Sequence, residues 1–105
     1  MKKIKDTLKK LGIMPNVKGY HYLATAIEMC IFEFRNNRQV DSWMNMYYDI
    51  AMQYGTTRPR VERCIRSAIE KATQTELYLK VIRDRTNSAF IALVTEYIME
   101  ENDND

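Results

Sequence analysis

The sequence predicts an all-α protein, a compact bundle of about six helices, and two observations support that prediction. Only three glycines and two prolines occur in the 105 residues, and they lie between segments whose apolar residues recur at helical spacing. With 46% hydrophobic and 29% charged residues, a chain of this length has the composition of one globular domain with a single core. We therefore expect one domain over residues 1–105, with an acidic, frayed tail over 100–105.

The first two helices are each predicted by an apolar stripe. Residues 2–11 form a short amphipathic helix, which ends where Gly12 suits the C-terminal cap and Pro15 prevents continuation. Residues 18–36 form the second helix, whose longer stripe should be the centre of the core. That stripe consists of Tyr20, Leu23, Ala24, Ile27, Cys30, Ile31 and Phe34.

The third helix follows the polar segment NNRQVD and runs to about Tyr54. Asp41 or Ser42 can cap its first turn, because either side chain accepts a hydrogen bond from an unpaired backbone N–H. Its predicted inner face consists of Trp43, Met46, Tyr47, Ile50 and Ala51.

The same region is rich in methionine and tyrosine, which favours one of two structures. These side chains can line a groove for a partner helix, or they can fill the core, where methionine suits irregular packing. We expect core packing for the set, which consists of Met44, Met46, Tyr47, Tyr48, Met52 and Tyr54.

A tight turn at Gly55 and Thr56 leads into the fourth helix, over residues 57–72. Thr57 suits the N-cap, and Pro59 occupies the first turn, where its missing N–H has no intrahelical partner in any case. A helical wheel gives an apolar face of Val61, Cys64, Ile65, Ala68, Ile69 and Ala72, and a polar face of Pro59, Arg63, Arg66 and Glu70 flanked by Arg60, Glu62 and Ser67.

Two helices complete the predicted bundle. A break at residues 73–75 precedes a short helix over 76–83, and the TNS segment at 86–88 caps the last helix. The apolar stripe of the last helix consists of Phe90, Leu93, Val94, Tyr97 and Ile98.

Charge is distributed unevenly along the chain. Residues 1–85 hold all 16 Lys and Arg against nine Asp and Glu, a net charge of +7, whereas residues 86–105 hold five acids and no base. A basic body predicts an anionic partner. No apolar stretch is long enough to span a bilayer. Lys2 and Lys3 are not followed by the apolar run of a signal peptide, so we expect a cytoplasmic protein.

The sequence gives no indication of catalysis, a metal site or a cofactor. His21 is the only histidine, and no spacing of histidine, cysteine and carboxylate suits a metal ion. Cys30 and Cys64 lie on apolar stripes, and we expect both to be reduced core residues. We therefore expect a protein that is not an enzyme.

The third and fourth helices with their glycine turn match the helix-turn-helix pattern. The second helix of that motif enters the major groove, where arginine can donate two hydrogen bonds to guanine and Glu62 can accept one from cytosine. The hydroxyls of Thr56 and Thr57 lie at the helix N-terminus and suit a phosphate. The alternative is a solvated charged face, in which Glu62 and Glu70 pair with Arg66.

Three segments of the chain are similar to one known family: GIMPNVKGYHYLATAIEM, YDIAMQYGTTRPRVERCIRSAIEKA and TNSAFIALV. They resemble, in this order, the DNA-binding effector domain of the sporulation stage zero master response regulators of endospore-forming bacteria. The resemblance covers about residues 8–99. It implies an all-α domain of about six helices that binds short DNA boxes, often in tandem, to control transcription.

The resemblance also implies roles for residues of the fourth helix, with 57–72 as the recognition helix. Arg60, Glu62 and Arg63 correspond to base-reading positions. Pro59 and Ser67 depart from the family, which tends to have a small hydroxyl residue and a histidine there, so these DNA contacts are changed. The expected DNA-binding set is Thr56, Thr57, Arg58, Arg60, Glu62, Arg63, Arg66 and Ser67, with the two threonines, Arg58 and Arg66 at the phosphates.

Partners beyond double-stranded DNA follow from the same resemblance. Tandem boxes imply two copies on one DNA site, a homodimer that meets through the last helix. The segment TQTELYLKVIRDR is shorter than its family counterpart, which is associated with contact to RNA polymerase. We therefore expect the protein to act by occupying sites. The start at Met1 and the acidic end indicate a natural small protein without the family's phosphate-accepting receiver.

A second hypothesis is a protein-interaction module, a decoy that pairs with a full-length relative and binds DNA weakly. The missing receiver, the acidic tail and the changed residues Pro59 and Ser67 favour it. Binding to a family-type box and to a scrambled duplex at several salt concentrations separates the two hypotheses.

Overall fold

Six α-helices make up the fold, and no strand occurs in residues 1–103, the part of the chain that the computed structural model describes. The predicted all-α class and the number of helices are confirmed. None of the described helices is both long enough and apolar enough to cross a membrane. The helices are α1 (Lys2–Lys10), α2 (Tyr20–Arg35), α3 (Trp43–Tyr54), α4 (Arg58–Lys71), α5 (Glu76–Val81) and α6 (Asn87–Asp103).

Helix α2 lies at the centre of the fold and packs against α1, α3, α4 and α6. Its predicted stripe is buried from Tyr20 to Ile31, and only the last member, Phe34, is partly exposed. Ile65 of α4 and Phe90 of α6 are fully buried against the same core. Removal of this apolar surface from water is the main force that holds the six helices together.

A tight turn joins α3 to α4 and fixes the start of α4. Gly55 has a left-handed backbone with φ of +65°, and the backbone N–H of Thr56 donates to the Ala51 carbonyl at 2.9 Å. Thr57 then caps α4, because its Oγ1 accepts from the Arg60 N–H at 3.3 Å. Helices α3 and α4 pack against each other, an arrangement consistent with the predicted helix-turn-helix.

Helix α2 begins at Tyr20, two residues later than predicted, because Gly19 has a left-handed backbone with φ of +95°. The chain passes very close to α4 at this point: a Cβ atom at position 19 would lie 2.3 Å from the Cys64 carbonyl oxygen. Only glycine permits both the backbone conformation and the close approach. Gly19 therefore sets how near the loop before α2 comes to α4.

Three further details differ from the prediction. Helix α5 ends at Val81 rather than at residue 83, because Ile82 leaves the helix in an extended conformation and is buried. Cys64 is half-buried rather than a core residue. Helix α6 continues to Asp103, where a frayed segment was expected from residue 100; residues 104 and 105 of that expected tail lie outside the described residues.

Candidate nucleic-acid interface

Three arginines of α4 form an exposed cationic surface. Arg60, Arg63 and Arg66 are exposed, and none of them makes an ion pair with another residue in the described part of the chain. On the opposite side of the helix, Val61 and Ile65 are fully buried. Helix α4 is thus fixed on the core while its guanidinium groups stay accessible. Each can donate paired hydrogen bonds to a guanine edge or a phosphate.

Arg58 and Glu62 form an ion pair one turn apart on α4. The sequence predicted Arg58 at a phosphate and Glu62 at a base, or Glu62 paired with Arg66. The structure joins Glu62 to Arg58 instead, while both side chains remain partly exposed. Each charge offsets the other in the free protein, so a DNA contact by either residue requires that the pair separates or rearranges.

Thr56 and Thr57 lie at the N-terminal end of α4, next to the positive end of the helix dipole. The Thr57 hydroxyl accepts a hydrogen bond as the helix cap, which leaves its own hydrogen available to donate. A phosphate oxygen is a suitable acceptor at this place. The backbone N–H of Thr56 is already bonded within the turn, so only its hydroxyl is available for a DNA contact.

A shallow concavity on one side of α4 brings lysines beside the arginines. It is lined by four cationic side chains and by no acidic one: Lys18, Arg60, Arg63 and Lys71. Asn16, Val17, Cys64 and Ser67 complete the lining. We call this the basic concavity. Its charge and its polar side chains suit the oxygens of a nucleic-acid backbone.

Lys18 and Lys71 are candidate DNA-binding residues that the sequence analysis missed. The helical wheel could have found Lys71, because it shares one flank of α4 with Arg60 and Ser67. Nothing in the sequence indicates Lys18, which belongs to the loop before α2. Its place depends on the close approach of Gly19 to α4, a tertiary contact.

The other side of α4 meets the start of α6 and has mixed charge. Asn87 Nδ2 donates to the Glu62 backbone carbonyl at 2.9 Å, which fixes α6 against α4. The Tyr47 hydroxyl and Ser88 Oγ lie 3.2 Å apart beside it. The charged residues that line the depression there are Glu62, Arg66, Glu70, Asp84 and Arg85. Three acids among five charges make this side a weaker phosphate site than the basic concavity.

The two cysteines have different surroundings. Cys30 is buried, and burial raises the pKa of its thiol to about 11, so it stays protonated near neutral pH. Cys64 lies half-buried at the basic concavity. Both are free thiols. Within the described residues, no group of three or more His, Cys, Asp or Glu side chains could hold a metal ion.

Comparison with protein families gives one match that covers most of the chain. The family model described as "Sporulation initiation factor Spo0A C terminal" matches residues 4–98. The matched range contains all eight predicted DNA-binding residues and both lysines of the basic concavity.

Proposed function

The chain belongs to the family of the Spo0A C-terminal domain, a sporulation DNA-binding effector domain, and from this premise we propose that it is a sequence-specific DNA-binding regulator of transcription. The observation that supports the proposal most strongly is the row of accessible arginines on α4, opposite a fully buried face. In the proposal, the recognition helix 57–72 lies in the major groove, and the protein acts in the cytoplasm.

Base recognition falls to three residues near the start of α4. Arg60 and Arg63 are the exposed side chains that can donate to guanine O6 and N7. Glu62 accepts from a cytosine amino group after its pairing with Arg58 is broken or shared. Glu62 therefore favours binding to sites whose base edge donates a hydrogen bond there. At a base without such a donor, the carboxylate keeps Arg58 as its only partner and the complex gains nothing from it.

Phosphate contacts surround these bases on both strands. Thr56, Thr57 and Arg66 serve as phosphate ligands, as the sequence predicts, and Ser67 adds a hydroxyl on the flank of the helix. Lys18 and Lys71 extend the contact along the backbone through the basic concavity. Arg58 joins this set once Glu62 is engaged by a base.

The mode of regulation follows from the assembly that we propose on DNA. Two copies occupy tandem boxes and meet through α6. The resemblance implies that the segment TQTELYLKVIRDR is shorter than the family's counterpart, which is associated with contact to RNA polymerase, and this motivates regulation by occupation of a site. Strong activation of a reporter by this chain alone would contradict that mode and leave the DNA-binding proposal intact.

The test of the proposal is a titration against a family-type box and a scrambled duplex of equal length at several salt concentrations. We expect a preference of at least about tenfold for the box. We also expect a log–log salt slope of about −4, because four cationic side chains (Lys18, Arg58, Arg66 and Lys71) each neutralise one phosphate. Equal, weak binding to both duplexes would favour the protein-interaction module, which pairs with a full-length relative.

A further inference from the structure

The outer face of α3 exposes large apolar side chains in a continuous row. Met44, Tyr48 and Met52 follow one another at one-turn intervals, and they are 60%, 56% and 66% exposed. The sequence predicted that these residues fill the core. Met46 and Tyr47 do so, but the prediction is wrong for these three and for Tyr54, which is 42% exposed. Single exposed apolar residues are common on protein surfaces, whereas a row of three is a feature of interaction sites.

A groove between α2 and α3 extends this row. Asn45 of α3 lines the groove and lies one turn before Tyr48 on the helix surface. On the α2 side, Phe32 is 59% exposed and lies one turn from Met29, which also lines the groove. The charged and apolar lining consists of Met29, Val40 and Met46 with Glu33, Asp41 and Asp49. We call the exposed row and this groove together the α2–α3 surface.

The α2–α3 surface is acidic. Helix α3 contains no lysine or arginine, and Asp41 and Asp49 are exposed beside the apolar row. The nearby cation Arg38 is already paired with Glu33 at 2.9 Å. That hydrogen bond holds the pKa of Glu33 below its usual value, so the glutamate stays ionised. Arg38 also lies over the Phe32 ring, 5.7 Å from its centre, but one cation does not offset three carboxylates, so the surface keeps a net negative charge that favours a cationic partner.

We propose that the α2–α3 surface binds a basic amphipathic helix of another protein. Apolar residues of that helix, spaced one turn apart, cover Met44, Tyr48 and Met52, as in other helix-in-groove complexes. Its lysines or arginines meet Asp41 and Asp49 at the rim. Methionine adapts its shape to such a partner at low cost.

A second copy of this chain is a poorer occupant of the same surface. Its most basic helix is α1, with five lysines, which offers the right charge. The apolar residues of α1, Ile4 and Leu8, are buried in the chain's own core and cannot also cover the row on α3. Helix α1 of a second copy therefore does not fit the surface, which favours a basic helix of another protein.

The test uses a capped peptide of about 15 residues, with leucine on one helical face and lysine on the other, titrated into isotopically labelled protein. We expect amide shift changes that concentrate on α3 and on residues 29–33 of α2, together with a change in the fluorescence of Trp43, the only tryptophan. A scrambled peptide of the same composition and a peptide with glutamate in place of lysine should bind at least about tenfold more weakly.

Matched variants assign the site. The double variant Tyr48→Ala/Met52→Ala should lower the affinity about tenfold, and Asp49→Lys should lower it similarly. Leu79→Ala removes an equally exposed apolar side chain on α5 (66% exposed) and should leave the affinity for the peptide unchanged. All four residues are exposed, so circular dichroism should show folded proteins.

Three results would overturn the proposal: equal binding of the scrambled peptide, shift changes that lie on other helices, or self-association that Tyr48→Ala/Met52→Ala abolishes. The last result would assign the surface to a second copy. DNA affinity serves as an independent readout for the uncharged variant: Tyr48→Ala/Met52→Ala alters no charge and no residue of the proposed DNA interface, so it should leave binding to the family-type box unchanged.

Discussion

The Glu62 carboxylate has one partner in the free protein and another in the proposed complex. In the structure it pairs with Arg58, while the residue's backbone carbonyl accepts from Asn87. The backbone contact fixes the position of Glu62 on the bundle, and the side-chain pair remains partly exposed and exchangeable. Exposed ion pairs contribute little to stability, commonly below about 1 kcal/mol. A change at Glu62 should therefore affect recognition far more than folding.

Glu62→Ala should reduce the preference for the family-type box by about tenfold, because a base-reading acceptor is lost. At the same time, binding to the scrambled duplex should become tighter, since Arg58 is freed to contact a phosphate. Fluorescence anisotropy with both duplexes measures the two effects. Glu70→Ala removes an exposed acid from the same helix and serves as the control: it should tighten binding to both duplexes equally. An equal effect of Glu62→Ala on both would show that Glu62 reads no base.

The lysines of the basic concavity give a second prediction about single residues. Lys18→Ala and Lys71→Ala should each reduce the steepness of the log–log salt dependence by about one and weaken binding to all duplexes alike, because each removes one phosphate contact. Salt titrations of the single variants test this prediction. Lys80→Ala, an exposed lysine of α5 away from this concavity, is the matched control and should leave the slope unaltered.

At the scale of the helices, two left-handed glycines have different functions. Gly55 ends α3, and a Cβ atom there would meet nothing within 4 Å. Gly19 begins α2 against the backbone of α4, where a Cβ atom would collide with the Cys64 carbonyl. The first glycine serves only its own turn. The second serves the contact between two elements of the proposed interface.

Gly55→Ala should lower the free energy of unfolding by about 1 kcal/mol, the cost of a left-handed backbone for a residue with a side chain. Gly19→Ala carries the same backbone cost and must also move α2 away from α4, so we expect a loss of at least about 3 kcal/mol. Urea denaturation followed by circular dichroism measures both. If the two variants lost the same free energy of unfolding, the close contact between Gly19 and α4 would contribute nothing to stability.

Across the whole molecule, one core connects the helices, and α2 is the element that most of them share. Cys30 lies in this core with 1% of its surface exposed, and desolvation raises its pKa. The thiol can react only when the surrounding helices separate. Cys64 is only half-buried in the same fold. The reactivity of Cys30 therefore measures global unfolding, whereas the reactivity of Cys64 measures the accessibility of one place on the surface.

A thiol reagent at pH 8 should label Cys64 in the folded protein and Cys30 at least about a thousandfold more slowly, at a rate set by unfolding. Mass spectrometry of the peptides resolves the two sites. Cys64→Ser leaves Cys30 as the only thiol and should make labelling follow the unfolding rate in urea. Comparable labelling rates at both positions in water would contradict a cooperative core around α2.

The pattern of apolar residues was sufficient to predict the six helices and most of their inner faces, although it missed Ile91 and Thr95, which are fully buried in α6. Helical spacing is local, so the stripe of α2 and the buried face of α4 could be identified without tertiary information. The cap at Thr57 and the turn at Gly55 were predicted for the same reason, since capping depends on neighbours along the chain. The exposed arginines of α4 follow directly from that wheel.

Only the tertiary structure determined which side chains from different elements lie together. Lys18 reaches the side of α4 because Gly19 packs on the Cys64 carbonyl. Met44, Tyr48 and Met52 show the same limit: composition alone suggested core residues, but the face of α3 that the bundle covers left them exposed. The sequence determined the helices and the direction of their faces, because both depend on local spacing. Burial and the shape of the interface depend on contacts between distant segments, and the fold determined those.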